Sequence, residues 1–479
     1  MGLDNKAFWR VAEATRMSVL IDADDYFKNA RLAMLQARRR IMLIGWDFDA
    51  RIHLVGSDRE TDEPEAVGDF IYWLAERNPE LEIFLLRWDV GALKTLVRGS
   101  NILTLARWMQ HPRIHTKLDS FHPTGGSHHQ KIVVIDDCFA FCGGIDMTSE
   151  RWDTRHHRDV EPRRVLANGK PYTPWHDATT ALQGPVAAAL GELARDRWEH
   201  AGGHPLDPVE AADTPGRCWP KGLATEFEQV QVGIARTSPD MPDCPEIREI
   251  EHLFVAQIAS AKVSIYAESQ YFASRKIAEA IAARLAEADG PEIVIINPEH
   301  AQGWLEPLAM DTARARLVAA LKQRDPHSRL RLYHPFTEKG TPIYVHAKVM
   351  IVDGRMLRIG SANMNNRSLG LDTECDVTID AGDEGADAIR AIRDGLIAEH
   401  LGVSVATVAA QIDSSGSLIA TIEALRGTGR SLRPYEIPDL SEVEAWLADN
   451  EVLDPENPSE IFESVAKRGL FRRLRHPFG

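Results

Sequence analysis

The sequence predicts an α/β protein built from two tandem duplicated halves, each a mixed β-sheet flanked by helices. Its 479 residues exceed the size at which a single hydrophobic core usually stops growing, so two fused units are expected. The pattern H-x-K-x4-D-x6-G-[GS]-x-[DN] occurs twice, first from residue 129 and again from residue 346. Upstream of each copy, a helix-like stretch (25–40 and 245–261) leads into a short β-prone run. Strands that alternate with helices favour a mixed sheet covered on both faces.

The repeat divides the chain into four regions. We expect a first half over 1–202, a linker rich in proline and glycine over 203–223, and a second half over 224–425. The extension over 426–479 is acidic at first and basic at its end. Packing of the halves about a pseudo-twofold axis would bring both motif copies to one shared active site. Because both copies lie in one chain, we expect a monomer.

Composition and charge narrow the class of protein. With 55 basic against 71 acidic residues, the net charge of −16 argues against broad nucleic-acid binding. No apolar run approaches the roughly 20 residues that span a bilayer, and the N-terminus lacks a basic-then-apolar signal pattern. We therefore expect a cytoplasmic protein without a transmembrane segment. The cysteines are too few and too irregularly spaced for a disulfide framework or a zinc site, which predicts reducing surroundings; they are Cys138, Cys142, Cys218, Cys244 and Cys375.

Each motif copy predicts a buried strand with reactive side chains at its start. The four residues after each lysine are apolar, and strand alternation puts the histidine and the lysine of a copy on one face. The aspartates fall at the strand ends, where they can anchor the following loop. The glycines further on predict a close approach of two backbones. The candidate catalytic set consists of the histidine, lysine and aspartate of each copy: His129, Lys131, Asp136, His346, Lys348 and Asp353.

Two imidazoles and two lysines in one pocket suit a phosphodiester substrate. One neutral imidazole can attack phosphorus while the other, protonated, gives its proton to the leaving oxygen. The lysines, with Asn363 and Ser361, can stabilise charge on the non-bridging oxygens. Because these side chains supply the positive charge, we expect the chemistry to need no metal and no other cofactor.

The two imidazoles need opposite protonation states near neutral pH, so the second nitrogen of each ring should meet an acidic side chain. Glu374 is the preferred partner of His346. Further acids downstream of the motif copies remain available for the same role, namely Asp153, Asp159 and Asp372.

The paired motif resembles the hallmark of the phospholipase D superfamily, and the resemblance extends over about residues 19–402. Further runs resemble those of the branch that cleaves lipids such as phosphatidylcholine. They are Gly-Trp-Asp-Phe-Asp at 45–49, Arg-Trp-Asp at 87–89, Glu-Arg-Trp-Asp-Thr at 150–154, Pro-Trp-His-Asp at 174–177 and Glu-Ser-Gln-Tyr-Phe at 268–272. Serine at 269 replaces the asparagine expected in the last run.

The resemblance implies roles for individual residues. His129 would be the nucleophile that forms a phosphohistidine, and His346 would protonate the leaving alcohol and then activate water or another alcohol. The two motif lysines and Asn363 would hold the phosphate. Asp146, which stands where some relatives have asparagine, is a further phosphate-binding candidate.

The function favoured by these features is a phospholipase D that hydrolyses glycerophospholipids to phosphatidic acid and a head-group alcohol, with phosphatidyl transfer as a related activity. A transferase of the cardiolipin or phosphatidylserine synthase type would use the same residues. The acidic charge disfavours a nuclease, and two intact motifs disfavour a catalytically inactive membrane scaffold. The expected partner is phospholipid at a membrane surface rather than nucleic acid. The basic tail, 466–479, is a candidate for peripheral membrane contact.

Overall fold

The computed structural model describes residues 5–54, 63–89, 100–210, 218–301, 306–382 and 385–438. A 3-10 turn at Asn5–Ala7 precedes the elements of the first half. Its strands are β1 (Arg10–Ile21), β2 (Arg40–Gly45), β3 (Glu82–Trp88), β4 (Ile114–Asp119), β5 (Ile132–Ile135), β6 (Phe139–Gly143), β7 (Trp175–His176) and β8 (Ala178–Gln183). Its helices are α1 (Asp22–Met34), α2 (Val67–Arg77), α3 (Ser100–Met109) and α4 (Pro185–His200).

The second half repeats this alternation of strands and helices. Its strands are β9 (Phe227–Ser238), β10 (Ile247–Arg248), β11 (Ser264–Glu268), β12 (Glu292–Ile296), β13 (Leu330–Phe336), β14 (Tyr344–Val345), β15 (Val349–Val352), β16 (Met356–Gly360), β17 (Glu374–Asp380) and β18 (Ser431–Pro434). Its helices are α5 (Glu249–Ser260), α6 (Arg275–Leu285), α7 (Glu306–Gln323), α8 (Asn366–Gly370), α9 (Ala386–Leu401), α10 (Val405–Ser415) and α11 (Leu418–Leu425).

One large sheet joins the two halves. Its strand order is β18-β13-β12-β11-β15-β16-β17-β9-β1-β8-β6-β5-β2-β3-β4, with β10 on β9, while β7 and β14 pair with each other. The long strands β1 and β9 run antiparallel at the centre. Outward from them, both halves show antiparallel pairs as far as β2 and β11, followed by two parallel pairs, β2-β3-β4 and β11-β12-β13. The outermost strand of the second half, β18, is antiparallel to β13. The predicted mixed α/β fold is therefore confirmed, whereas the pseudo-twofold axis stays a prediction.

Helices cover both faces of the sheet, which explains why its inner strands are continuous apolar runs. Met42 faces the core shared by α4 and α9, while its neighbour Ile41 faces the core under α1 and α2. Ile265 of β11 likewise packs against α5 and α6. Because successive strand residues point to opposite faces, both must be apolar where both faces are buried. The motif strands β5 and β15 lie inside this covered region.

Cys218, in the predicted linker, forms a disulfide with Cys138 of the first half. Cys138 lies in the turn between β5 and β6, and Cys218 joins the core that α1 and α2 cover. This pair was not predicted, because two cysteines 80 residues apart carry no local signal. Disulfides persist mainly in oxidising compartments, so the bond speaks against the reducing surroundings predicted from cysteine usage.

The division into four regions stays a prediction, and the structure places one strand in the predicted extension. There, β18 pairs antiparallel with β13 at the edge of the sheet. Residues 439–479, which include the basic tail, lie outside the described residues. No single helix within the described ranges is long and apolar enough to cross a bilayer. One pair, α9 with α10, passes by combined length and composition and is bent by 110°.

Candidate active site

The two motif histidines come together because each is anchored to the opposite half of the chain. His129 lies three residues before β5, and its backbone N–H donates to the carbonyl of Thr373 at 2.9 Å. His346 lies three residues before β15, and its N–H donates to the carbonyl of His176 at 2.7 Å. The centroids of the two motif imidazoles are 6.4 Å apart. The two copies of the motif therefore contribute to one site.

The same register brings one carboxylate to each imidazole. Glu374 directly follows the carbonyl that holds His129, and its two oxygens lie 3.0 and 3.1 Å from Nδ1 of that ring. Asp177 directly follows the carbonyl that holds His346, and its Oδ2 lies 2.7 Å from Nδ1 of that ring. A carboxylate at Nδ1 keeps a proton on that nitrogen and leaves Nε2 available for reaction.

The predicted pairing of Glu374 with His346 is wrong. Glu374 begins β17, and the next residue of that strand, Cys375, lies 3.7 Å from Cys142 of β6 between the two sulfur atoms. The carboxylate of Glu374 therefore meets the first-half imidazole instead. Asp177, the acid that does contact His346, was missed as an acid. A signal for it was present, since it ends the Pro-Trp-His-Asp run at 174–177. The pairing of β7 with β14 is what carries this run to the second histidine.

The motif lysines lie beside their histidines and differ in their ionic partners. Nζ of Lys131 donates to the carbonyl of its own histidine at 2.7 Å and lies 3.3 Å from Oδ2 of Asp146. Nζ of Lys348 also donates to the carbonyl of its histidine. No carboxylate in the described ranges forms an ion pair with Lys348. Burial lowers the pKa of this lysine to about 7, against the attraction of Asp177.

Burial also sets the protonation of the imidazoles and their acids. It lowers the pKa of His129 and of His346 well below the usual value, and the neighbouring lysines lower both further. It raises the pKa of Glu374 to about 8, against the attraction of Lys131, and raises the pKa of Asp177. Before substrate binds, both imidazoles are therefore neutral at pH 7 and Glu374 is protonated, so Glu374 must lose its proton before it can hold a proton on Nδ1 of His129. A bound anion would favour the protonated form of the ring that acts as the acid.

Two of the phosphate-binding candidates, Asn363 and Ser361, differ in their hydrogen-bond partners. Oδ1 of Asn363 is buried and has no hydrogen-bond partner among the described residues, and its Nδ2 lies 3.5 Å from Oε1 of Gln270. Ser361 instead donates its hydroxyl to Glu374 at 2.5 Å and accepts the N–H of Cys375 at 3.0 Å. Nδ2 of Asn363, which makes only this long contact with Gln270, can thus donate to a phosphate oxygen. The hydroxyl of Ser361 supports Glu374, and its predicted contact with phosphate stays a prediction.

The third candidate, Asp146, neutralises a lysine. Its Oδ1 accepts the backbone N–H of Trp46 at 3.1 Å, and its Oδ2 faces Nζ of Lys131. A buried carboxylate in this position would repel an anionic diester rather than bind it. The structure places Asp146 as the ionic partner of Lys131, and its predicted contact with phosphate stays a prediction.

The motif glycines allow the close backbone approach that their spacing predicts. A Cβ on Gly143 would lie 2.4 Å from Cα of Thr179, and one on Gly360 would lie 2.6 Å from Cα of Asp376. Both distances are far below a van der Waals contact, so a side chain at either position would push adjacent strands apart. The strands that end shortly before Asp146 and Asn363 can pack this closely because glycine has no side chain.

The motif aspartates act as structural anchors. Asp136 accepts the backbone N–H groups of residues 38, 39 and 40, each at 2.8 Å. Asp353 accepts those of residues 262–264 at 2.8 to 3.2 Å. These bonds cap the starts of β2 and β11 rather than the loops after the motif strands. With three backbone donors each, the two carboxylates hold these strand starts in place, and a direct part in catalysis stays a prediction.

The other predicted acids hold neighbouring segments and make no direct hydrogen bond to a motif imidazole within the described residues. Asp372 fixes the segment that leads to the first motif histidine, and Asp153 fixes the segment that leads to Asp177. Asp159 caps a turn of the second half. Their partners are Ser127 N–H and hydroxyl for Asp372, Trp175 N–H for Asp153, and the turn at 337–341 for Asp159.

Trp175 and Arg151, which belong to the runs that resemble the family, lie beside His346. The ring centroid of Trp175 is 5.1 Å from that of His346, and Trp175 stacks on Tyr344 at 4.7 Å. The guanidinium of Arg151 lies 4.2 Å from the centroid of Trp175, and its charge helps to lower the pKa of His346. They give the second imidazole an aromatic wall and an additional neighbouring cation.

Comparison with known proteins matches this chain in both halves. A family model described as Phospholipase D matches residues 33–231, and one described as Cardiolipin synthase, PLD-like domain, matches residues 254–393. The chain is 25% identical over 422 residues to phospholipase D A of Dictyostelium discoideum, covering 74% of this chain and 32% of that protein. It is 23% identical over 529 residues to phospholipase D alpha 4 of Arabidopsis thaliana, covering 85% of this chain and 67% of that protein.

The chain thus spans from about a third to two thirds of the length of these relatives. Among solved structures, its fold is similar to that of phosphatidylserine synthase from Haemophilus influenzae Rd KW20. The TM-score is 0.57 at 14% identity, and the match covers 96% of this chain and 93% of the synthase. With one family model in each half and relatives that match most of its length, the chain belongs to the phospholipase D superfamily.

Proposed function

We propose that the protein is a phospholipase D-type phosphodiesterase that hydrolyses glycerophospholipids to phosphatidic acid and a head-group alcohol. The observation that carries this proposal is the pair of imidazoles 6.4 Å apart, each with a carboxylate of the opposite half at Nδ1. Such a pair can place a nucleophile and an acid on opposite sides of one phosphorus atom. The names of the similar proteins from Dictyostelium and Arabidopsis support a lipid diester as the substrate.

In the first step, Nε2 of His129 attacks phosphorus and the bond from phosphorus to the head-group oxygen breaks. His346 gives its Nε2 proton to that oxygen, so the head group leaves as a neutral alcohol. The negative charge of the diester favours the protonated ring, and Asp177 at 2.7 Å stabilises it. The product of this step is a phosphatidyl group bonded to His129.

In the second step, His346 takes a proton from water while the water oxygen attacks phosphorus. The bond from phosphorus to His129 breaks, which releases phosphatidic acid and restores both rings. Lys131, Lys348 and Asn363 contact the non-bridging oxygens in both steps. Because the pKa of Lys348 is near 7 in the free site, an arriving anion promotes its protonation where the charge is needed.

A phosphatidyltransferase of the cardiolipin or phosphatidylserine synthase type is the alternative. The family model that matches residues 254–393 is described as Cardiolipin synthase, PLD-like domain, and this description supports the alternative. The same phosphohistidine would serve both reactions, and only the acceptor differs: water in one case and an alcohol in the other. A superfamily nuclease is the second alternative, which the net charge of −16 disfavours.

The deciding experiment incubates the pure protein with labelled phosphatidylcholine, cardiolipin or DNA, each with and without a primary alcohol. We expect head-group release and phosphatidic acid from the phospholipid, and a phosphatidyl-alcohol when the alcohol is present. His129→Ala, prepared in the same way, should be inactive on every substrate. Products that form only with an alcohol acceptor would favour the transferase, and cleavage of DNA alone would overturn the proposal.

We also propose that the protein works as a monomer on phospholipid at a membrane surface, without nucleic acid. The two motif copies in one chain support the first statement, and the preferred substrate supports the second. A cytoplasmic location stays a prediction, against which the Cys138–Cys218 disulfide counts. Sedimentation with vesicles of phosphatidylcholine or phosphatidic acid tests the membrane contact, and retention of all protein in the supernatant would contradict it.

A further inference from the structure

A second cluster of titratable side chains lies in the buried wall behind His346. It comprises Asp22 at the start of α1, His157 in the segment after β6, His176 in β7 and Glu399 in α9. Their side chains are 0–2% exposed. The carbonyl of His176 binds the backbone of His346, but the four side chains take no part in the proposed chemistry. The cluster therefore calls for an explanation of its own.

The donor atoms of this cluster are spaced like the ligands of one metal ion. Oε1 of Glu399 lies 3.0 Å from Nε2 of His157 and 2.9 Å from Nδ1 of His176. The oxygens of Asp22 lie 3.4 and 3.1 Å from the same two nitrogens. Bonds of about 2.0–2.1 Å to a tetrahedral zinc ion correspond to ligand separations of about 3.3 Å. The four side chains need only small shifts to surround such an ion.

The second ring nitrogen of His157 and of His176 lies against a carboxylate, as is common in protein metal sites. Nδ1 of His157 meets Oδ2 of Asp153 at 3.0 Å, and Nε2 of His176 meets Oε2 of Glu268 at 2.7 Å. Histidines that bind metals almost always donate their second N–H to a carboxylate or carbonyl in this way, which aims the remaining lone pair at the ion. Glu268 is fixed in turn by His400 at 3.0 Å.

Two buried atoms inside the cluster lack a hydrogen-bond partner among the described residues. They are Oδ2 of Asp22 and Nδ1 of His176, and both residues are at most 1% exposed. The carboxylates around His176 raise its pKa well above the usual value, so without an ion the ring is protonated, and a metal ion that binds there displaces that proton. A cation at the centre of the cluster would bind both atoms. This observation is independent of the spacing and points to the same place.

We propose that Asp22, His157, His176 and Glu399 form a structural site for one divalent transition-metal ion of the zinc class. Two imidazole nitrogens and two carboxylate oxygens suit zinc and its neighbours, whereas magnesium and calcium prefer oxygen ligands alone. The site uses no cysteine, and the ion has no part in the proposed phosphoryl chemistry. It would bind segments of both halves together and fix the strand that presents Asp177.

The first test measures bound metal and its effect on stability. Full-length protein, purified without chelator, should contain about one zinc ion per chain. Removal of the ion by a strong chelator should lower the melting temperature, and zinc chloride should restore it while magnesium chloride does not. Protein that holds no zinc, takes up none and melts at the same temperature with chelator or zinc would overturn the proposal.

A matched pair of variants locates the site. His157→Gln removes one ligand, and His334→Gln changes a buried histidine outside the cluster whose Nδ1 binds the carbonyl of Asn297 at 2.9 Å. We expect the first variant to lose the zinc and the second to keep it. Zinc retained by folded His157→Gln would overturn the assignment.

If His157→Gln does not fold, X-ray absorption of the zinc-loaded wild type decides the question. Two imidazoles among nitrogen and oxygen ligands are the expected result. Sulfur ligation, or no imidazole, would overturn the assignment to these residues.

Discussion

The active site has two corners, one around His129 and one around His346, which share the same backbone hydrogen bonds and differ in charge. In both corners, the backbone N–H of the histidine donates to a carbonyl of the opposite half of the chain. The residue that follows this carbonyl is the acid that contacts the imidazole. The first corner pairs its lysine, Lys131, with Asp146 at 3.3 Å. The second corner has the uncharged Asn363 at the corresponding position of the motif, and its lysine forms no ion pair within the described residues.

The two acids are also bound differently. Glu374 accepts the hydroxyls of Ser361 and Ser368, at 2.5 and 2.7 Å, besides the first imidazole. Asp177 lies closer to its imidazole, at 2.7 Å rather than 3.0 Å. A carboxylate shared among several donors favours a protonated imidazole less, which suits a nucleophile. A closer acid favours the protonated ring, which suits the proton donor. In the proposed mechanism, two sites with the same backbone arrangement therefore take different roles because their acids are bound differently.

The largest expected effects test that division directly. His129→Ala and His346→Ala should each lower turnover by at least about 10³-fold without unfolding the protein. On a nitrophenyl phosphodiester, whose leaving group needs no proton, His346→Ala should still form a labelled phosphoenzyme while His129→Ala should not. Rapid quench with labelled substrate measures this, and label on protein that lacks His129 would mean that the two roles are reversed.

Exchange of the acids tests the crosswise pairing. Glu374→Gln and Asp177→Asn should each lower turnover by about 10²–10⁴-fold. On the nitrophenyl substrate, Glu374→Gln should slow formation of the phosphoenzyme, because its effect falls on His129 at 3.0 Å. Asp177→Asn should instead slow its breakdown, so that labelled enzyme accumulates. The opposite pattern would show that each acid serves the histidine of its own half.

A smaller effect concerns stability and pH. Burial raises the pKa of Glu374 from 4.5 to about 8, so its contribution to the free energy of unfolding is complete below pH 4.5 and is lost as the pH rises through 8. Glu374→Gln cannot ionise. Its stability relative to wild type should therefore increase by a few kcal/mol between about pH 5 and about pH 9.

Denaturant unfolding of both proteins across this range measures the difference. The pKa of Asp177 is raised as well, so Asp177→Asn should show the same sign. A difference between variant and wild type that does not change with pH would contradict the burial of an ionisable Glu374 in this site.

The smallest expected effect is that of a substitution that gives the first corner the uncharged residue found in the second. In Asp146→Asn, the carboxylate 3.3 Å from Lys131 is gone, so the lysine can attract an anion without competition. Competitive inhibition by inorganic phosphate should strengthen by about 3- to 10-fold, or up to about 1.4 kcal/mol. The reciprocal variant, Asn363→Asp, serves as the control and should weaken it. Equal inhibition constants in both variants would mean that the two corners do not differ in charge at the phosphate.

Local patterns in the sequence were enough to predict the main elements and the reactive side chains. The apolar runs at 132–135 and 349–352 form β5 and β15, and helices occupy 22–34 and 249–260, close to the predicted stretches. The partners could not be predicted in the same way. Glu374 meets an imidazole 245 residues away, and this contact depends on the register between strands of different halves, which no local pattern encodes.

The crosswise supply of acids has a consequence for synthesis of the chain. A ribosome-bound chain that has completed only its first half contains His129 and Asp177 but neither His346 nor Glu374. Such a chain can neither form nor resolve a phosphohistidine by the proposed route. Glu374 is the last member of the site to be made. The proposed route therefore requires that β17 has docked beside β9 and brought this carboxylate to His129.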